Sequence, residues 1–148
     1  MYQDWLEESL INFNYIGIDA SEQQKSYQQV EPIINELIKS GFRKNHRLIA
    51  IGGGITQDLV AFISSILFRG INWNFYPTTL LGQCDSCIGS KTSINFKGYK
   101  NLLGTFLPPK NIFIHTGFLS TLEIKDIKSG IGEMCHYFLS RKKSKIFE

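Results

Sequence analysis

Val30, Ile33, Ile34, Leu37 and Ile38 recur at i, i+3, i+4, i+7 and i+8, the spacing that lines up one face of an α-helix. The pattern predicts a helix from Ser26 to Ser40, stopped by Gly41. Arg47 to Ile51 places an unbroken LIAI run before three glycines, which reads as a short buried strand. The helical period returns between Thr56 and Arg69, through Leu59, Val60, Phe62, Ile63, Ile66 and Leu67, with Gly70 as the stop. Asn72 to Tyr76 reads as a second strand closed by Pro77, with Thr78 free to cap a short helix. The Pro108-Pro109 pair marks a loop before a third strand from Asn111 to His115, and a last helix is expected from Glu123 to Arg141. Strands alternating with helices at this spacing predict βαβ units and a parallel sheet. The loops after the strands then lie at the ligand-binding edge.

Composition fits that picture. The chain has 148 residues, 43% of them hydrophobic and 20% charged, as expected of one modest folded domain. Residues 1–40 hold seven acids and two bases, and the remainder six acids and fourteen bases. A basic excess of this size suits an anionic small molecule. It argues against nucleic acid, because the bases are spread over several elements and only Arg141, Lys142, Lys143 and Lys145 form a run. The opening MYQDWLEESL has early acids and no apolar core, unlike a secretory signal. The longest apolar stretch, Leu59 to Phe68, is about half of a membrane span. Three cysteines without a secreted framework fit reduced thiols. A soluble cytoplasmic protein is the expectation.

Three motifs carry candidate chemistry. In IAIGGGITQD, Gly52, Gly53 and Gly54 stand between a predicted strand and a helix, where backbone N–H groups can approach a phosphate. The run lacks the G-x-G-x-x-G pattern, and a structural turn would look the same; Asp58 just beyond adds an acid able to bind sugar hydroxyls. In GQCDSCIGSKTSIN, Cys84 and Cys87 have redox spacing but no second pair for zinc, and Ser90 separates Gly89 from Lys91, so a Walker A reading fails. What remains is Asp85, Lys91, Lys100 and Asn101, suited to a polar anionic ligand or to a solvated loop. Glu133 and His136, at i and i+3 on a predicted helix, can face one way as metal ligands do; an ordinary surface pair has the same spacing.

Together these residues resemble 3-dehydroquinate synthase and its sugar phosphate cyclase relatives. The resemblance runs from about Ser21 to Ser140 through GGGITQD, Arg69-Gly70, PTTLLGQCDSCIGSKTSIN, KNLLGTF and SGIGEM. It implies a Rossmann-like parallel sheet with flanking helices over residues 1–122, and the start of a C-terminal helical metal and substrate domain over 123–148. In such enzymes NAD takes a hydride from the substrate temporarily, phosphate is eliminated, the hydride returns, and an aldol step closes a carbocycle; a divalent metal, zinc or cobalt, polarises the hydroxyl being oxidised. The resemblance puts Glu22, Lys25, Gly53, Gly54, Asp58, Thr78, Thr79, Phe118, Thr121 and Leu122 against NAD. It puts Asp85, Lys91, Lys100 and Asn101 where cofactor and phosphorylated sugar-acid substrate meet. Arg69 matches an arginine supplied across a homodimer, and Glu133 the metal carboxylate.

Departures from the pattern bear on the substrate. His136 stands where the family has a lysine, which trades a fixed ammonium for a donor whose charge depends on pH and favours a specialised cyclase, such as one acting on a sedoheptulose phosphate. Ser90 and Tyr99 each stand where a glycine is usual. Family chains run to more than twice this length and carry two further metal histidines, so the sequence reads as the cofactor-binding part with most of the helical domain absent. Two other readings follow from the same residues. A polyol dehydrogenase using NAD and a metal would form net NADH, and a non-catalytic nucleotide-binding module would bind NAD without turnover.

Overall fold

The computed structural model describes residues 13–144, with side chains to residue 140. The MYQDWLEESL segment and the side chains of the basic run at Arg141, Lys142, Lys143 and Lys145 lie outside the described residues. Helix α1 spans Tyr27–Lys39 and buries Val30 and Leu37, the centre of the predicted apolar face. It accommodates Pro32 at the loss of one backbone bond, and Gly41 ends it at φ +82°. Strand β1 (Leu48–Gly52) leads through Gly53 into α2 (Gly54–Ile66). The periodic run thus starts two residues earlier than the sequence pattern suggests, and its end tightens into a 3-10 turn over Leu67–Arg69. Phe68, Arg69 and Gly70 have φ of 50°, 65° and 107°, a left-handed sequence that costs energy at the first two.

Strand β2 (Trp73–Pro77) lies at the centre of a three-stranded sheet, between β1 and the last strand β5 (Asn111–Ile112), in parallel register on both sides. It is buried nearly throughout, with Trp73 1% and Phe75 0% exposed, and the polar Asn74, itself 8% exposed, is satisfied by accepting from Asn111 Nδ2 at 3.2 Å. The third strand is shorter than expected. Only Asn111–Ile112 form β5, because past Phe113, whose N–H reaches the Phe75 carbonyl, β2 is running out towards Pro77 and offers no further partner.

The largest departure lies between them. Read from sequence as a polar loop, the segment folds as a five-residue π-turn, Gly82–Ser86, followed by an antiparallel hairpin of β3 (Lys91–Phe96) and β4 (Tyr99–Phe106). A two-residue turn joins them, with Lys97 and Gly98 at φ 47° and 84°, the twist-compatible geometry of tight hairpins. The pairing shifts between Ile94 and Phe96, and Asn101 occupies the resulting bulge at φ 53°. Such bulges re-aim side chains. A 3-10 turn over Thr116–Thr121 then leads to α3, Ile124–Ser144.

Helix α2 is the hub. One face packs with Val30, Leu37 and Ile94, joining α1 and the hairpin through Leu59, Phe62 and Ile63. Val60 and Ala61 pack on the opposite side with Ala50, Trp73, Phe75 and Cys87. Each fully buried Leu, Ile or Phe contributes roughly 1.5–3 kcal/mol, so both ligand-facing loops are tied to a single rigid helix. No helix among the described residues is long and apolar enough to cross a membrane.

Candidate functional site

The C-terminal ends of β1 and β2 open onto the same edge. At β1, Gly53 is the N-cap of α2 and supplies no side-chain cap, which leaves first-turn N–H groups to whatever approaches. A Cβ on Gly54 would meet nothing within 4 Å. At β2, the Thr78 N–H donates to the Gly52 carbonyl at 2.9 Å. The cap expected of Thr78 belongs to its neighbour: Thr79 Oγ1 accepts from the Gly82 N–H at 3.0 Å, because Thr78 is still held against β1.

A cleft of about 560 Å³ lies beside the glycine loop, lined among others by Gly54, Asp58, Asp85, Ser90, Lys91 and Tyr137. Asp85 comes from the π-turn, a distortion that often marks functional segments. Gln57, 4% exposed, fixes that turn to α2: its Nε2 donates to the Ser86 carbonyl at 2.6 Å and its Oε1 accepts from Ser86 Oγ at 2.7 Å. From across the cleft the Tyr137 hydroxyl donates to Asp85 Oδ1 at 2.6 Å. That hydrogen bond, and then the carboxylate's negative charge, hold the phenol above its ordinary pKa.

Next to the cleft is a polar network linking distant segments. Asp58 Oδ2 pairs with Lys25 Nζ at 2.6 Å, and Asp58 Oδ1 accepts from the Ser93 N–H at 3.0 Å. Lys25 also donates to Asn101 Oδ1 at 2.9 Å, which Ser93 Oγ reaches at 3.0 Å. Asn95 closes the circuit, accepting from the Asn101 N–H at 2.8 Å and donating to Glu22 Oε1 at 2.9 Å. The bulge that places Asn101 is therefore held by hydrogen bonds from three directions.

The residues singled out from sequence are thus distributed. Gly54, Asp58, Asp85 and Lys91 share the cleft, while Glu22, Lys25 and Asn101 form the adjoining network. Lys100 is exposed on β4. Phe118 is buried in the turn that carries Thr121, and Leu122 follows it. Arg69 is exposed beyond the far end of α2; a helix of 13 residues separates it from the glycine loop by roughly 20 Å. His136 is exposed, and Glu133 is half-buried. Among the described residues no three His, Cys, Asp or Glu side chains are grouped as a metal would require.

Cys84 and Cys87 are free thiols. Burial, ahead of every other influence, pushes both above the ordinary thiol range, the opposite of what a reactive cysteine needs. Gln57, Ser93, Asn95 and Tyr137 were not singled out by motif or spacing. Nothing local marks them, since their partners lie from 6 to 73 residues away in sequence.

A parallel α/β sheet whose strand ends meet at a glycine loop and a cleft with carboxylates and a lysine defines the general class. The chain belongs to the 3-dehydroquinate synthase family: residues 15–129 match the model of the family's N-terminal domain. It is 38% identical to the 3-dehydroquinate synthase of Clostridium tetani (strain Massachusetts / E88), over 94% of this chain and 38% of the relative. Among solved structures it resembles 2-epi-5-epi-valiolone synthase from Streptomyces hygroscopicus with NAD+ and Zn2+ bound, at TM-score 0.82 and 33% identity over 88% of this chain and 37% of the other. It also resembles 2-deoxy-scyllo-inosose synthase complexed with carbaglucose-6-phosphate, NAD+ and Co2+, at TM-score 0.81 and 28% identity over 88% of this chain and 35% of the other. The chain spans between 34% and 42% of the length of the curated relatives it matches.

Proposed function

We propose that this chain is the NAD-binding part of a 3-dehydroquinate synthase, a carbon–oxygen lyase that releases phosphate while forming a carbocycle. The observation that carries this reading is the cleft: the uncapped start of α2 at Gly53-Gly54 opens beside Asp85 and Lys91, in a chain whose family membership is established by sequence. The residues fit a dinucleotide. An open N-terminus of a 13-residue helix suits a pyrophosphate, and the space a Gly54 Cβ would take is empty. Thr78 and Thr79 border the same edge, and Thr121 and Leu122 lie at the turn that follows the shortest strand.

When bound, NAD supplies a temporary hydride acceptor. The chain's own residues then have separate tasks. First-turn N–H groups of α2 bind the pyrophosphate, Lys91 offers a positive charge to the substrate's phosphate or carboxylate, and Asp85 accepts from a hydroxyl. Asp58 and Lys25 hold one another, Lys25 holds Asn101, and Glu22 holds Asn95, which in turn accepts from the Asn101 N–H. Glu133 alone does not make a metal site, and the chemistry proposed for these residues does not run through a metal. An arginine at position 69, held in a protruding left-handed turn, is consistent with service to a second copy in a homodimer.

A second reading has its own support. His136 replaces the lysine usual in the shikimate-pathway enzymes, and the two solved neighbours are cyclases with other names, which favours a sugar phosphate such as sedoheptulose phosphate as substrate. Phosphate release by a full-length family protein carrying this sequence, supplied with NAD and zinc or cobalt, is the test, since the chain itself spans only about two-fifths of its relatives. Release from the seven-carbon keto acid phosphate supports the leading reading, and release only from sedoheptulose phosphate supports the second. Net NADH accumulation would overturn both in favour of a polyol dehydrogenase.

A further inference from the structure

Helix α3 leaves the body of the domain with most of its residues exposed, yet it is pinned at two places. At Gly130 a Cβ would run into Leu80 and the backbone of Leu81, so the absence of a side chain is what lets the helix approach the segment leading into the π-turn. Seven residues further on, two helical turns along the same face, the Tyr137 hydroxyl reaches Asp85 Oδ1 at 2.6 Å. Tyr137 therefore enters the cleft from an element separate from the strand ends, and the two residues are 52 positions apart in sequence.

We propose that Tyr137 is the positioning residue for Asp85, fixing the rotation of its carboxylate so that Oδ1 is taken by the phenol and Oδ2 is left to accept from a ligand hydroxyl in the cleft. This rests on the reading of the cleft as a dinucleotide and polyol site. The geometry supports it in three ways. Asp85 has no other hydrogen bond from a side chain among the described residues, and the backbone that carries it is fixed by the Gln57–Ser86 pair. The remaining freedom is the carboxylate's own torsion, which a short bond to a phenol on a rigid helix removes. Both residues line the cleft, so the constraint acts where a ligand would be met. Lys91 lines it too, and Glu133 is near enough to Tyr137 to add to the negative field there.

The test combines a direct probe of the contact with a binding cycle. In protein labelled at tyrosine Cζ, the Tyr137 resonance, assigned by its loss in Tyr137→Phe, is expected to move in Asp85→Asn. NAD affinity by calorimetry is expected to fall about tenfold in Tyr137→Phe, the size of one lost hydrogen bond to a charged group. The fall in Asp85→Asn should be at least as large, with the double variant no weaker than Asp85→Asn alone. Circular dichroism melts of both single variants should match the wild type, since neither the deleted hydroxyl of Tyr137→Phe nor the isosteric amide of Asp85→Asn alters packing. The proposal is overturned if the resonance stays in place in Asp85→Asn, or if Tyr137→Phe binds NAD like the wild type while Asp85→Asn does not. If the wild type binds no NAD, the cofactor reading fails instead, and the labelled resonance by itself decides whether the contact exists.

Discussion

Replacing Asp58 with Ala should destabilise the fold by about 2–3 kcal/mol, and the size follows from how the carboxylate is held. An exposed ion pair would contribute about 0–1 kcal/mol, and cutting one partner from a fully buried pair costs about 3–5 kcal/mol. The Asp58 and Lys25 side chains are 19% and 12% exposed, which lies nearer the buried limit. Asp58 also accepts from the Ser93 N–H at 3.0 Å; a hydrogen bond to a charged group contributes about 1.5–3 kcal/mol, and its loss leaves a half-buried donor on β3 unpaired. In Lys25→Met the Asp58 carboxylate keeps one donor, the Ser93 N–H, so that variant should cost less, about 1–2 kcal/mol. The double variant should recover part of the sum, with a coupling of about 1–2 kcal/mol. Urea unfolding, with slopes unchanged between variants, reads all three. An Asp58→Ala midpoint within about 0.5 kcal/mol of the wild type, no different from ordinary surface substitutions, would refute the claim that this pair holds the hairpin to α2.

Other outcomes follow from single sites. Leu59, 0% exposed between α1, α2 and the hairpin, should lose about 2–5 kcal/mol on Leu59→Ala, read by the same unfolding curves. A methyl group at Gly104 would enter the Thr92 carbonyl, so Gly104→Ala should disrupt the hairpin and reduce amide protection along β3. The half-buried Cys84 and the buried Cys87 thiols are held neutral in the folded chain by their raised pKa. The stability this gives is fully present below the ordinary thiol pKa, taken as 9.0, and declines as pH rises through the folded values, which unfolding curves collected on either side of pH 9 measure. For the same reason alkylation at neutral pH should label the exposed Cys135 first.

What could be read from the sequence was what depends on neighbours. The face of α1, the existence and proline stop of β2 and the glycine junction between β1 and α2 all rest on residues within a turn or two of one another, and period and composition report them. The hairpin escaped because the alternation of Ser93 and Asn95 with Ile94 and Phe96 is short and its turn is Lys97-Gly98 rather than an asparagine-glycine pair. The third strand came out too long because an apolar run says nothing of where its partner ends. Asp85 and Lys91 were found from their segment, but the residues holding them were not. Tyr137 looks like any aromatic on an amphipathic helix until the fold brings it to Asp85. Lys25 was suggested by family resemblance and Asn101 by its segment, with no hint that the two are bonded across 76 positions.

The central claim is that the open start of α2 is a dinucleotide cradle, and Gly54 tests it most directly. A side chain there meets nothing in the protein, and the first helical position tolerates most residues, so Gly54→Val should change stability by no more than about 0.5 kcal/mol. It would, however, fill the space a pyrophosphate needs. Calorimetric titration with NAD should show saturable binding to the wild type and at least a tenfold loss in Gly54→Val at unchanged melting temperature. Equal NAD affinity in the two proteins, or no binding by a well-folded wild type, would contradict the account.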